Sequence, residues 1–372
     1  MNRPDLALFL ATSGHSGVDR IMRNLVPEFI ALGLRVDLLR VRGHGPNWSG
    51  LHEDARLVDL GASHVNTSLP ALVRYLRRAR PRALLSDKDR VNRIALLARA
   101  LAGVDTRIGV RMGTTVSKNL ARRGAWSRFS QYASIRLFYR FADAIITPSK
   151  GAAEDLARIA GLPAEFVTVI PNPVVNAAML QGAEQPVAHP WFADEGPPVI
   201  LGVGELSARK DFATLLRAFA LVRRSRACRL IILGEGRQRA QLLNLSRALG
   251  VAKDVDLPGF FANPYPYMGR AAAFALTSVC EGLGVVLVEA LALGTPVVST
   301  DCPSGPREVL GDGRYGPLVP VGDPERLAEG LLETLDRPLP KAVLREASEA
   351  FTVTNSAKHY VDALGLAGTG SA

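Results

Sequence analysis

A strand, a loop and a helix follow one another along residues 6–159, and the same alternation starts again at residue 199. Residues 6–12 form an apolar run that reads as a buried strand. Over 18–32, Ile21, Leu25, Phe29 and Leu32 share one helical face, and Gly33 ends that helix. A strand over 35–41, a helix over 69–79 capped by Ser68, an apolar run over 83–86, a helix over 94–102, a strand over 144–147 and a helix over 151–159 continue the series. The second series has strands over 199–203, 230–233, 271–277 and 296–300, and helices over 212–223, 237–249 and 285–293. A helix between two strands returns the chain to the same end of the sheet, so such alternation enforces parallel pairing. The expected fold is α/β, with two doubly wound Rossmann-like domains in series.

The boundaries follow from composition. Residues 1–172 are the first domain, and 173–198, rich in Pro, Gly and Ala, read as a linker. Residues 199–350 are the second domain. A C-terminal helix over 351–366 is expected to pack back on the first domain, and 367–372 to be a disordered tail.

Charge divides the same way. Residues 1–170 carry 26 Lys and Arg against 14 Asp and Glu, whereas the remainder carries 19 against 21. The first half should therefore meet something anionic: a membrane surface, a phosphorylated acceptor or nucleic acid. No nucleic-acid motif is present and only 6% of residues are aromatic, so no nucleic-acid partner is expected. Residues 107–140 hold eight basic side chains and no acidic ones, interleaved with Trp126, Phe129, Tyr132, Phe138 and Tyr139. This segment reads either as a surface for an anionic leaflet or as a core helix with a solvated basic face. Three scattered cysteines, no CxxC and an apolar run over 6–11 too short for a signal-peptide core point to a cytoplasmic protein, peripheral on the inner face of the cytoplasmic membrane if the basic segment docks.

Open parallel sheets bind ligands beyond the carboxyl ends of their strands, and four loops at such ends stand out. Residues 13–20 (SGHSGVDR) place two glycines before a helix, where backbone can approach an anion. Residues 202–210 (GVGELSARK) end in Arg209 and Lys210, a planar fork and a point charge suited to a diphosphate. Residues 278–284 (SVCEGLG) carry Glu281, and the apolar helix that follows carries Glu289, a carboxylate that needs a ligand or a structural partner to offset its desolvation. Residues 301–308 (DCPSGPRE) form a conformationally fixed polar loop. Taken singly, each also fits a plain turn or a solvated ion pair.

Together these segments resemble the family 4 retaining glycosyltransferases of GT-B fold. Glu281 and Glu289 are spaced as its E-x7-E motif (EGLGVVLVE), and LGVGELSARKDF, IILGEGRQR, LPGFFANPYPYM and GTPVVSTDCPSGPREVL follow in the family's order. The resemblance implies two domains facing an interdomain cleft. It implies that Arg209 and Lys210 neutralise the donor diphosphate, that Glu281 holds hydroxyls of the transferred sugar and that Glu289 holds the ribose. Backbone N–H groups of Leu283 and Gly284 would contact the phosphates, Gly17 would close over them, and Glu205, Gly234 and Phe260 would complete the donor site. On the acceptor side it implies His15, Lys88, Arg111, Gly113 and Thr114. Residues 110–117 (VRMGTTVS) correspond to a segment in which many relatives carry a histidine, and Gly113 or a neighbour stands in its place.

The implied activity is retaining transfer of a hexose or N-acetylhexosamine from a nucleotide diphosphate sugar, UDP-linked, to a glycan or lipid-linked acceptor. The DCPSGPREVL form is similar to members that build bacterial surface polysaccharide and lipopolysaccharide. No cofactor is expected, and no metal, because cations and helix N-termini handle the phosphate charge. Asp87-Lys88-Asp89 and Asp254-Val255-Asp256 match a metal-binding D-x-D formally, but the intervening Lys88 disfavours a cation in the first. A nucleotide-sugar epimerase and a non-catalytic, membrane-associated partner subunit remain as alternatives.

Overall fold

Apolar runs buried on both faces build two parallel sheets. The computed structural model describes residues 3–12, 17–46, 54–120, 124–187, 189–193, 196–303 and 305–367, so the expected tail lies, beyond Ala367, outside the described residues. The chain divides into two units, Met1–Pro173 with Val353–Ala372, and Val174–Thr352.

The first unit contains β1 (Leu6–Phe9), α1 (Gly17–Ala31), β2 (Val36–Arg40), β3 (Arg56–Asp59), α2 (Leu69–Ala79), β4 (Ala83–Asp87), α3 (Asp89–Ala102), β5 (Arg107–Arg111), α4 (Val116–Leu120), α5 (Ala125–Phe138), β6 (Ala144–Thr147), α6 (Lys150–Ala160) and β7 (Val167–Val169). Its sheet runs β3-β2-β1-β4-β5-β6-β7, with parallel pairing throughout. Alternate residues of β1 serve two cores: Ala7 and Phe9 pack with α2, α3 and α6, and Leu6 and Leu8 with α1 and the C-terminal helix Val353–Ala363. That helix fixes Tyr360 in the core, edge-on to Phe29.

The second unit contains α7 (Ala177–Ala183), β8 (Val199–Val203), α8 (Phe212–Ser225), β9 (Arg229–Leu233), α9 (Arg239–Ala248), β10 (Val255–Gly259), α10 (Tyr265–Arg270), β11 (Ala273–Leu276), α11 (Val285–Ala292), β12 (Val297–Thr300), α12 (Pro306–Val309), β13 (Leu318–Val319), α13 (Pro324–Asp336) and α14 (Lys341–Ser348). Its sheet is β10-β9-β8-β11-β12-β13, again parallel. Ile200, Ile232 and Val298 face α8 and α13, while Leu201, Leu233 and Phe274 face α11 and α14.

Three expectations need correction. The expected linker, residues 173–198, contains a helix and core residues of the second unit among its described residues. Asn176 caps α7 by accepting from Met179 N at 2.8 Å, and Val174 and Met179 enter the core of the second unit, so a few apolar anchors override the Pro and Gly content. Ser68 does not cap α2; its hydroxyl donates to Val65 O at 2.6 Å and closes a 3-10 turn that runs directly into the helix. Five strands escaped the sequence reading: β3, β7, β10 and β13, which lie at sheet edges and need no long buried apolar run, and the interior β5, whose apolar core is only Ile108–Val110 between two arginines.

Candidate functional site

In each sheet the strand order reverses once, between β1 and β4 and between β8 and β11. Loops leaving two neighbouring central strands diverge there and leave a crevice at the carboxyl ends.

In the second unit the loop after β8 carries Arg209 and Lys210, and Asp211 caps α8 just beyond them by accepting from Thr214 N at 3.3 Å. The loop after β11 carries Glu281. The two loops are tied together: Val279 N donates to Arg209 O at 2.8 Å and Thr277 Oγ1 to Lys210 O at 2.8 Å. Thr300, at the end of β12, donates to Ser278 O at 2.7 Å. On this frame one oxygen, Glu281 Oε1, accepts from Lys210 Nζ at 2.6 Å, Ser278 Oγ at 2.6 Å and Arg209 Nη1 at 3.1 Å. Burial pushes the Glu281 carboxyl up, but Lys210, Ser278 and Arg209 outweigh it and hold the group below the ordinary carboxylate value. The Lys210 and Glu281 side chains are 9% and 10% exposed; Arg209, at 44%, reaches solvent. Sequence reasoning found both cations and Glu281 but missed Ser278, Thr277 and Thr300, whose hydroxyls carry no signal apart from their three-dimensional neighbours.

The other donor-side residues take different parts. Glu289 is buried on α11 and accepts from Tyr265 OH at 3.2 Å. Gly284 precedes α11 with φ +79°, and Leu283 beside it is buried. Gly234 acts through its lack of a side chain, since a Cβ there would lie 1.9 Å from Gly204 O and displace the loop that carries the cations. Glu205 is exposed, and Phe260 is 74% exposed on the loop after β10. Gly17 opens α1 in the first unit. His15 lies outside the described residues.

In the first unit, a cavity of about 570 Å³ lies at the switch point and is lined by Lys88, Arg111, Gly113 and Thr114, four of the five expected acceptor residues. Asp87 and Arg111 are register partners at the ends of β4 and β5 and form a buried ion pair. The guanidinium also donates to Tyr360 OH at 2.8 Å and to Asn172 Oδ1 at 2.6 Å. Asn92 supports the corner: Nδ2 donates to Arg111 O at 3.0 Å, and Oδ1 accepts from Ser86 Oγ at 2.8 Å. Gly113 sits against this cluster, and a Cβ there would lie 2.8 Å from Arg111 Nη1. A side chain at Gly113 would therefore have to displace an arginine held by three partners. Asp87, Asn172 and Tyr360 were missed because they are remote in sequence from Arg111.

The carboxylates of both D-x-D sequences are engaged by cations or imidazole: Asp87 by Arg111, Asp89 by Arg93 at 3.2 Å, Asp254 by Arg223 at 2.8 Å and Asp256 by His189 at 2.9 Å. Among the described residues no group of three His, Cys, Asp or Glu could hold a metal ion. The basic segment folds mainly as α5. On α5, exposed Trp126 (79%) stacks on exposed Phe129 (63%), and Arg128, Leu137 and, just past the helix, Arg140 are also exposed. Arg122, Arg123 and the Lys118 side chain lie outside the described residues. Among the described residues no helix is long and apolar enough to cross a membrane.

Residues 188–351 match the family described as glycosyl transferases group 1, and residues 16–173 the glycosyl transferase 4-like domain. A Campylobacter jejuni protein, N-acetylgalactosamine-N,N'-diacetylbacillosaminyl-diphospho-undecaprenol 4-alpha-N-acetylgalactosaminyltransferase, is 32% identical over 371 residues, 96% of this chain and 98% of its own. A lipopolysaccharide core biosynthesis glycosyltransferase of Rhizobium meliloti is 32% identical over 205 residues, 55% of this chain and 57% of its own. Among solved structures, the apo form of lipopolysaccharide outer core galactosyltransferase WaaB has a TM-score of 0.74 at 20% identity, covering 97% of this chain and 99% of that one. Anabaena HepE in complex with UDP has a TM-score of 0.75 at 18% identity, covering 96% and 99%. These two likenesses speak for the GT-B fold.

Proposed function

This chain belongs to the family 4 glycosyltransferases, and on that premise we propose that it moves a hexose or N-acetylhexosamine from a UDP-sugar to a glycan or lipid-linked acceptor, with retention of anomeric configuration and without a metal. The observation that carries the reading is the convergence of Lys210, Arg209 and Ser278 on Glu281 Oε1 at the β8–β11 switch point. In this reading the two cations stand where a departing diphosphate gains charge, and stabilising such growing charge contributes more than any other single effect in most enzymes of this kind. The pairing of both D-x-D sequences supports a site that works through Arg209 and Lys210.

The chemistry needs no separate base. The acceptor oxygen bonds to the anomeric carbon on the face from which the phosphate leaves. The C–O bond to phosphate breaks with its electron pair, and the departing phosphate oxygen takes the acceptor proton. Double displacement would instead require a nucleophilic carboxylate at the anomeric carbon, and Glu281 is occupied as the acceptor of three hydrogen bonds.

The UDP preference is supported by the nucleotide in the HepE complex, and a lipid-linked acceptor by the name of the Campylobacter relative. In the same reading the cavity of the first unit takes the acceptor. The exposed aromatic and basic residues of α5 suit an anionic leaflet, which would put the protein on the cytoplasmic face of the membrane.

A thermal-shift panel of UDP, GDP, ADP and their sugars tests the donor reading, because a ligand that binds only the folded state raises its melting temperature. UDP and at least one UDP-sugar should raise it. A shift with GDP or ADP alone would overturn the base assignment, and no shift with any of them would overturn the donor site.

A further inference from the structure

Two cations on the wall of the first unit's cavity have no counter-ion in salt-bridge range among the described residues. The lining includes Lys88, Arg90, Arg93 and Arg111 against the carboxylates Asp87 and Asp89. Asp87 holds Arg111, and Asp89 holds Arg93. Lys88 and Arg90 flank Asp89, are exposed, and make no side-chain hydrogen bond or ion pair with any described residue. His44 and His64, edge to face at 5.8 Å, complete the polar wall, and Met112, Val65 and Val91 supply the apolar part.

Lys88 is also held in a costly shape. Its backbone sits at φ +76°, ψ 139°, where an L side chain is strained and glycine is at ease. Two hydrogen bonds impose it: Lys88 N donates to Arg111 O at 3.3 Å, and Lys88 O accepts from Asn92 N at 2.9 Å. The residue must pass from the β4–β5 ladder into the first turn of α3 without a spare step. Glycine would make that passage freely. A lysine kept there places an unpaired ammonium group on the cavity wall.

We propose that this cavity binds the phosphate of a phosphorylated acceptor, with Lys88 and Arg90 as its counter-ions. The two positive charges, neither engaged in a hydrogen bond or close ion pair with a described residue, match a phosphate monoester or a diphosphate, and a neutral sugar would leave both unused. The inference rests on the assignment of this cavity to the acceptor and names the chemical class that the acceptor carries.

The test uses the full chain with methyl-labelled methionine. Met112 lines the cavity and is one of five methionines, so its methyl signal reports occupancy without turnover. Inorganic pyrophosphate is titrated at low ionic strength into the wild type, Lys88→Ala/Arg90→Ala and Arg209→Ala/Lys210→Ala. Saturable movement of the Met112 signal is expected, at least tenfold weaker in the first double variant and unchanged in the second. Equal affinity in the wild type and Lys88→Ala/Arg90→Ala would overturn the proposal. A neutral methyl N-acetyl-α-galactosaminide provides the control for the underlying reading. If it moves Met112 and pyrophosphate does not, the acceptor assignment stands and the phosphate site falls; if neither does, both fall. Farnesyl diphosphate beside N-acetylglucosamine 1-phosphate distinguishes a lipid carrier from a soluble one, with saturable binding of either supporting the site. Lys88→Gly separates binding from folding: its melting temperature should equal or exceed that of the wild type while pyrophosphate affinity falls at least threefold. A lower melting temperature with unchanged affinity would show that the lysine serves the fold alone.

Discussion

Lys210 Nζ lies 2.6 Å from Glu281 Oε1, each side chain is about nine-tenths buried, and 71 residues separate them in sequence. The pair bridges the loops after β8 and β11. Neither group is cheap to leave alone, because removing one partner of a buried pair costs about 3–5 kcal/mol through the charge left behind.

Substitutions at the pair should therefore separate catalysis from stability. Lys210→Ala and Arg209→Ala are expected to lower turnover by roughly a hundredfold, the usual loss when one contact to developing charge is removed. Glu281→Ala should be as severe for rate and should also lower the melting temperature more than Arg209→Ala, since it strands Lys210. Glu289→Ala should act mainly on donor affinity. Steady-state rates with an accepted donor decide the matter, and near-wild-type turnover for both Lys210→Ala and Glu281→Ala would refute the site.

The pH dependence has a definite sign. Glu281 titrates below the ordinary value of 4.5 in the fold. Its ionised form therefore contributes stability that is present above the unfolded value and lost as pH falls through the folded one. The difference in melting temperature between the wild type and Glu281→Gln should be widest near neutrality and close in acid below pH 4.5. A gap that stays constant from pH 7 to pH 3, on the order of the range spanned by carboxylate titration, would contradict the assignment.

Excess EDTA should leave activity unchanged. Loss of activity with the chelator and its return with manganese would assign a metal to one of the D-x-D sequences and would mean that Arg111 and Arg93, or Arg223 and His189, release their carboxylates.

Gly113 gives a steric prediction. Gly113→Ala and Gly113→His must displace the Arg111 guanidinium, which Asp87, Tyr360 and Asn172 hold. Overpacking of this kind costs about 1–3 kcal/mol, so both variants should melt earlier and neither should turn over faster. Proton NMR of the wild-type product provides the companion measurement: an α-linked donor should yield an α-linked product. A β product, or a rate gain of the ~10²–10⁴ typical of an added general base, would refute the base-free mechanism.

Vesicle co-sedimentation tests the α5 face. Binding to vesicles with anionic lipid at low salt should exceed binding to neutral ones, and Trp126→Ser/Phe129→Ser should weaken it by about tenfold, from partial loss of two aromatic insertions. Equal recovery in the supernatant with both lipids would refute docking.

The sequence by itself determined the two parallel sheets, because runs such as LALF and VILGV are apolar on both faces and period-3.6 segments separate them. It also determined the cations and carboxylates of the donor loops, since Arg209-Lys210 and Glu281 lie in contiguous segments whose glycines and helix starts are local signals. Tertiary structure alone decided the rest. Glu281 meets Lys210 only because a crossover makes β8 and β11 neighbours, and Ser278 joins them because Thr300 fixes its loop. Arg111 is held in place because β4, residue 172 and the C-terminal helix bring Asp87, Asn172 and Tyr360 to it from distant parts of the chain, and a side chain at Gly113 would have to break that hold. The strain at Lys88 belongs to the same class. Nothing in DKD foretells a positive φ, which arises where one peptide must satisfy both a strand ladder and the first turn of a helix.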